Sequence, residues 1–231
     1  MPDTGLKRSP KFLKGALVQL VEDIVGVVPN VIPFQYNPEK LSHTLTPWNP
    51  FEVDQTQRGA QAPNVQPFDP KESWNLTLEI DATDDLEDSQ PVAVTVGIAD
   101  RLAALKKLTL PSQGLIGDLV ASAQALAGNA NQQAVRPTVP VVLFVWGPGR
   151  IVPVRVTSFS VEETLFSPAL YPIQATVTLG LEVLTPDVFS QEDVTANLAV
   201  AAYNFTRLQE DTLAIAHIAN NLDAIRGLLP F

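Results

Sequence analysis

The sequence predicts a mainly β protein of the α+β class: an antiparallel β-barrel or sandwich with one inserted helix and a C-terminal helix. Short segments with apolar residues at every second position recur along the chain. Proline is abundant, with 20 residues against 12 glycines, which favours many turns and short strands. A helical period appears in the middle of the chain and returns near the C-terminus.

The first predicted elements are a strand and a hairpin. Residues 14–21 predict a strand. Residues 31–47, VIPFQYNPEKLSHTLTP, alternate apolar and polar side chains on both sides of Asn37-Pro38-Glu39, which is a turn signal. These residues therefore predict a β-hairpin. Residues 47–70 are rich in proline, glutamine and asparagine and predict a long loop with Arg58 at its tip.

The central elements are a strand followed by helices. Residues 74–80, WNLTLEI, alternate without a fault and predict a half-buried strand. An acidic turn over residues 81–88 leads into a helix predicted over residues 91–108, whose apolar residues recur at helical spacing. A weaker second helix is predicted over residues 115–126.

Three further strands predict a meander. Residues 141–146, VVLFVW, are continuously apolar, as in a strand buried on both faces. A Gly-Pro-Gly turn leads to a return strand over residues 151–162. A turn over residues 167–172 precedes a strand over residues 173–183 that alternates throughout.

The chain divides into three parts. Residues 1–13 are expected to be a flexible N-terminal tail, and residues 14–186 form the β domain. Residues 187–231 form a C-terminal helical extension, which either packs on the barrel or docks on a neighbour.

Composition excludes several function classes. The formal net charge is −10, and the 15 lysines and arginines form no stripe, which disfavours binding to nucleic acid or to anionic membranes. The absence of cysteine excludes disulfides, thiolate metal sites and cysteine nucleophiles. The N-terminus has no apolar run of signal-peptide length, so we expect synthesis in the cytoplasm without a signal peptide.

No set of residues predicts catalysis, a cofactor or a metal site. His43 and His217 lie in different elements and have no partners at a fixed spacing. The acidic residues of 81–88 lack the central glycine of a calcium loop. Glu162 and Glu163 are adjacent in a strand and point to opposite faces, so they cannot act as a catalytic pair. We therefore expect a protein that is not an enzyme.

Three stretches together resemble a known family. FQYNPE at residues 34–39 resembles an N-terminal strand-and-turn element of the tube-like baseplate adaptor proteins of contractile injection systems. WNLTLEIDATDD, from residue 74, resembles a strand of that family that closes in an acidic turn. Residues 141–184 resemble its signature hairpin: Phe166, Pro168 and Pro172 match the turn, whereas residues 169–171 depart from it and lack its glycine.

This resemblance implies a tail-tube-like fold, synthesis in the bacterial cytoplasm, and a structural role in a phage-tail-like particle that is cytoplasmic or released. It implies a homo-hexameric ring in the baseplate that joins the spike, or hub, protein to the inner tube protein. Baseplate wedge and sheath proteins are further candidate partners, and no nucleic acid, direct membrane contact or cofactor is implied. Many family members carry a C-terminal lysin-motif domain. Here residues 211–216, DTLAIA, echo only its opening.

The resemblance and the hairpins suggest which residues contact neighbouring subunits, because a ring-forming barrel needs open strand edges. The expected interface residues are Phe34, Tyr36, Asn37, Pro38, Glu39, Leu41, Arg58, Trp146, Gly147 and Phe166. The alternatives are an inner-tube subunit or tube-end cap of the same particle and, from a different class, a β-barrel that binds a small apolar ligand.

Overall fold

A computed structural model describes residues 13–23, 26–49, 68–111, 119–120, 122–123, 126, 140–189 and 194–221. Its elements are β1 (Ala16–Asp23), β2 (Gly26–Pro33), β3 (Leu41–Thr46), β4 (Lys71–Asp81), α1 (Thr83–Glu87), α2 (Pro91–Val96), α3 (Ala99–Lys107), β5 (Val141–Val145), β6 (Ile151–Phe166), β7 (Pro172–Val183), a 3-10 turn (Pro186–Val188) and α4 (Val194–Asn220). The seven strands form one antiparallel sheet in the order β2-β1-β5-β6-β7-β4-β3. The predicted α+β class, the C-terminal helix and the β5-β6-β7 meander are confirmed.

The core lies on one face of this sheet. The apolar residues of 74–80 are all buried, and the polar residues between them are exposed, as the alternation predicts. In β5, Val142 and Phe144 are fully buried, but the three residues that alternate with them are only half-buried. The prediction of a strand buried on both faces is therefore wrong, because β5 belongs to an antiparallel sheet whose core lies on one face.

The predicted hairpin over residues 31–47 is wrong. β2 pairs with β1, with Ala16 opposite Pro33, and β3 pairs with β4, with Leu41 opposite Leu76. The two strands lie at opposite edges of the sheet. Alternation specifies a strand but not its partner, and β2 follows β1 after only two residues, so these two form the local hairpin.

The single helix predicted over residues 91–108 is two helices, α2 and α3. The break is at Gly97, whose φ is +61°. Next to it, the Ile98 N–H donates to the Pro172 carbonyl at 2.9 Å, and a Cβ on Gly97 would lie 2.0 Å from the same oxygen. Only glycine allows the two backbones to approach this closely.

Some predicted segments fall on residues that the structure does not describe. The tail over residues 1–12 and the loop tip with Arg58 lie outside the described residues. Five residues of the helix predicted over 115–126 are described, and all five are helical. The acidic turn over 81–88 contains α1, and β6 continues to Phe166, beyond its predicted end.

Candidate subunit interface

Among the described strands, β6 has the longest unpaired edge. This strand has 16 residues and pairs along its length with β7, whereas β5 covers its other edge only as far as Val154. From Arg155 to Phe166, that second edge has no ladder partner among the described residues. Unpaired N–H and C=O groups along a strand form a template for pairing with another chain.

The tip of the β6–β7 hairpin is apolar and exposed. Leu165, Phe166, Leu170 and Tyr171 are 53, 49, 80 and 40 % exposed. The turn between the strands is closed by the Ser167 N–H, which donates to the Tyr171 carbonyl at 2.8 Å, and Leu170 has a left-handed φ of 64°. A cluster of exposed apolar side chains at the end of a defined turn is typical of a protein contact site.

Residues around the helices α1 to α3 hold the tip end of this hairpin in place. The Ala82 N–H donates to the Ile173 carbonyl at 2.9 Å, and the Ile98 N–H donates to the Pro172 carbonyl. The Gln174 side chain donates to the Asp81 carboxylate at 3.2 Å. The hairpin is thus anchored directly beside its tip, which limits the entropy lost when the tip binds a partner.

The charge around the hairpin restricts its partner. Residues 156–206 contain no lysine or arginine, and Glu162, Glu163 and Glu182 lie on the two strands of the hairpin. A partner surface that meets this edge is therefore expected to be neutral or basic.

Residues 34–40, here called the closing segment, connect the two edges of the sheet. The Phe34 N–H donates to the Gly15 carbonyl at 2.8 Å and extends the β1–β2 ladder by one bond. Phe34 itself is buried and packs on Phe144 and Trp146, with ring centroids 6.5 and 6.3 Å away. The segment therefore starts inside the core and ends at the exposed strand β3.

Two side-chain amides of the closing segment replace a missing strand ladder. Gln35 donates to the Asp81 carbonyl at 2.7 Å and accepts from the Asp81 N–H at 3.0 Å. Asn37 donates to the Leu13 carbonyl at 2.9 Å and accepts from the Gly15 N–H at 2.9 Å. Each amide imitates the paired donor and acceptor of a neighbouring strand, so the two edges are joined without a β-ladder.

Helix α4 docks across the end of the sheet where β6 begins. The Thr206 hydroxyl donates to the Ile151 carbonyl at 2.8 Å and accepts from the Ile151 N–H at 2.9 Å. Tyr203 is buried and donates to Asp69 at 2.9 Å. Burial raises the pKa of Tyr203 above its ordinary value, although its hydrogen bond from Arg207 lowers it in part.

A buried carboxylate ties α4 to the sheet. Glu72 accepts hydrogen bonds from the Trp74 indole at 3.2 Å and from Arg207 at 3.3 Å, and it lies 2.9 Å from the His43 ring. His43 stacks on Trp74 at 3.7 Å, and the Arg150 guanidinium lies 4.7 Å from the centroid of the Trp74 ring. These contacts assign structural roles to His43 and Glu72.

The guanidinium of Arg207 is held by several partners. Besides Glu72, it donates to the Tyr203 hydroxyl at 3.1 Å and to Glu210 at 2.9 Å. Burial by itself lowers the pKa of Arg207, but the hydrogen bonds to Tyr203 and Glu210 outweigh it and raise the pKa above its ordinary value. Arg207 is therefore charged at any working pH and acts as a fixed link between α4 and β4.

The C-terminal half of α4 is exposed on all sides. Residues 211–220, which include the sequence DTLAIA, continue the helix, and each of them is exposed. Leu213, Ile215 and Ile218 are 68, 68 and 54 % exposed. This half of α4 projects beyond the part of the body to which Thr206 anchors it.

The structure distributes the expected interface residues over different sites. Tyr36, Asn37, Glu39 and Phe166 are exposed; Pro38, Leu41, Trp146 and Gly147 are half-buried; Phe34 is buried; Arg58 is outside the described residues. Only Phe166 lies at the hairpin tip. Sequence reasoning did not single out Gln35, although its amide and that of Asn37 stand two residues apart, which places both on one side of an extended segment.

Two kinds of feature are absent from the described part of the chain. No group of three or more His, Asp or Glu side chains there could hold a metal ion. No described helix combines the length and apolar character needed to cross a membrane.

Comparison with known proteins identifies one matching family. The model of the contractile injection system tube protein family matches residues 22–188, which is more than half of the chain. The match includes all strands from β2 to β7, the closing segment and the β6–β7 hairpin. No curated protein matches the chain.

Proposed function

Since the chain belongs to the contractile injection system tube protein family, and is thus a structural component of a phage-tail-like particle, we propose that it forms the hub adaptor ring of the baseplate. This ring joins the spike to the inner tube. The observation that carries the proposal is the unpaired edge of β6 with its apolar hairpin tip.

The β6 edge suits ring formation. In a cyclic ring each subunit presents one surface to the next and receives a different surface from the previous one. A long strand edge provides main-chain hydrogen bonds, and the exposed tip provides apolar contact area. Tyr36, Asn37 and Glu39 on the closing segment are exposed and are proposed to contribute to the contacts between subunits.

The projecting half of α4 favours an adaptor over a plain tube subunit. A tube subunit stacks on identical rings above and below, so its two axial surfaces must fit each other. An adaptor meets a different protein on one side and can carry an element that does not repeat. Residues 211–220 rise about 15 Å along the helix axis, and their exposed apolar residues suit a contact with a second protein.

An inner-tube subunit is the second candidate, and the description of the matching family favours it. Quantitative mass spectrometry of sedimented particles separates the two. We expect about six copies per particle for one cyclic adaptor ring. A copy number equal to that of the most abundant particle protein would assign the chain to the tube instead.

A pair of variants tests the hairpin contact. Leu170→Asp places a charge on the most exposed apolar residue of the hairpin tip, and Val188→Asp places the same charge on an exposed residue of the 3-10 turn, which serves as the control. Both variants are expected to melt like the unmodified protein. Leu170→Asp should lose incorporation into sedimenting particles, whereas Val188→Asp should retain it. Normal incorporation of Leu170→Asp would exclude the tip as a ring contact.

A further inference from the structure

Another strand edge lacks a ladder partner over part of its length. The β3 ladder on β4 ends at Leu76, and the Asp81 backbone is already bonded to Gln35. Between them, the backbone groups of Thr77 and Glu79 point to this side, where no described strand pairs with them. β2 lies across from this edge, and a cleft of about 600 Å³ separates the two, here called the β2–β4 cleft. Its apolar lining includes Ile32, Leu78, Ile80 and Leu105.

The walls of the β2–β4 cleft are predominantly acidic. Glu79, Asp84, Asp85 and Asp100 line it, against the two basic residues Lys14 and Arg101. Arg101 is already engaged, because it forms an ion pair with Asp85 and donates to Gln35 at 2.9 Å. The cleft therefore favours a basic occupant that is able to extend along a strand edge.

The segment that precedes β1 has the matching chemistry. Residues 1–12, MPDTGLKRSPKF, carry Lys7, Arg8 and Lys11 against one acidic residue, Asp3. The segment also supplies Leu6, an apolar side chain for the floor of the cleft. The residues between its two prolines can donate N–H groups to a strand edge.

The described residues that directly follow this segment lie at the cleft. Lys14 lines the cleft, and Asn37 holds the Leu13 carbonyl at 2.9 Å and the Gly15 N–H at 2.9 Å. Twelve extended residues reach up to about 40 Å, whereas the free edge over residues 77–80 is about 13 Å long. The same chain therefore supplies this segment close to the cleft and without the entropy cost of association.

We propose that the β2–β4 cleft is the docking site for residues 1–12 of the same chain, which add a strand to the free edge of β4. This proposal does not depend on the role of the protein in the particle. The docked segment covers the β4 edge, so this edge cannot pair with another molecule. The β6 edge remains available for contacts between subunits.

Amide hydrogen exchange at Thr77 and Glu79, whose N–H groups point to the open side of β4, tests the docking. The triple variant Lys7→Glu, Arg8→Glu, Lys11→Glu reverses the charge of the segment. The control Lys7→Arg, Arg8→Lys, Lys11→Arg keeps it. We expect these amides to exchange about tenfold faster in the reversed variant than in the control or the unmodified chain, since a hydrogen-bonded edge exchanges only on opening.

A compensating change and a cross-link complete the test. Adding Asp84→Lys and Asp100→Lys to the reversed variant should restore slow exchange, because the two surfaces then carry swapped charges. Carbodiimide coupling is carried out on a mixture of ¹⁴N-labelled and ¹⁵N-labelled protein. It should join Lys7 or Lys11 to acidic residues of the cleft, and both peptides of each cross-link should carry the same nitrogen isotope. Equal exchange in all variants overturns the proposal, and mixed-isotope cross-links assign the segment to a neighbouring copy instead.

Discussion

Replacing Gln35 by alanine tests whether the closing segment holds the two sheet edges together. The Gln35 amide makes two hydrogen bonds to the backbone of Asp81 and accepts one from Arg101. In the variant the Asp81 carbonyl keeps its bond from Arg101 at 3.0 Å, and Arg101 keeps Asp85. The Asp81 N–H loses its partner. Two amide bonds at about 1 kcal/mol each give an expected loss of about 2 kcal/mol in the free energy of unfolding.

Urea unfolding followed by circular dichroism measures this loss. The matched control is Tyr36→Ala, which removes a larger, 47 % exposed side chain from the next residue and should change the free energy of unfolding by less than about 0.5 kcal/mol. Hydrogen exchange should also accelerate at Asp81 in Gln35→Ala alone. If the two variants lose equal stability, the amide does not act as a substitute for a strand ladder.

Other positions give equally direct predictions. Gly97→Ala should lower the free energy of unfolding, measured with urea, by at least about 3 kcal/mol, because the added Cβ meets the Pro172 carbonyl and φ at residue 97 is positive. A decrease of less than about 1 kcal/mol would contradict the close approach of the two backbones. Glu72→Gln should lower the free energy of unfolding by about 1–2 kcal/mol, since the hydrogen bond that residue 72 accepts from the partly exposed Arg207 is then no longer made to a charged group. An unchanged midpoint of urea unfolding would refute a role for the carboxylate charge. Burial raises the pKa of Tyr203 above its ordinary value of 10.0. The protonated Tyr203 hydroxyl therefore contributes fully to the free energy of unfolding below pH 10.0, and this contribution is lost as the pH rises through the higher pKa of the folded state. The difference in absorbance at 295 nm between the unmodified protein and Tyr203→Phe should show that Tyr203 titrates above pH 10.0. Titration of Tyr203 at or below pH 10.0 would refute the prediction.

The sequence predicts individual strands better than their partners. Alternation over residues 74–80 and 173–183 correctly identifies β4 and β7, because each has one buried face. The same signal over residues 31–47 indicates strands but cannot show that β2 and β3 lie at opposite edges. Pairing at such distances depends on the remainder of the sheet, which no local pattern contains.

The candidate interface is only partly visible in the sequence for the same reason. Phe166 is singled out by its turn motif, and it does lie at the hairpin tip. The free edge of β6 depends on where β5 stops pairing, at Val154, and this is a property of the assembled sheet. Phe34 belongs to a motif from which subunit contacts are predicted, yet it is buried in its own subunit against Phe144 and Trp146.

The position of β7 in the sheet determines when the nascent chain can complete its fold. β7 pairs with both β6 and β4, and it is the only described strand that joins the group β2-β1-β5-β6 to the pair β4-β3. On the ribosome, the β1–β2 hairpin can form early, but the two groups stay unconnected by strand pairing until Val183 has been synthesised. The edge of β4 that pairs with β7 must therefore wait, unpaired, for more than 90 residues of synthesis, so the protein is expected to depend on chaperones before it reaches a particle.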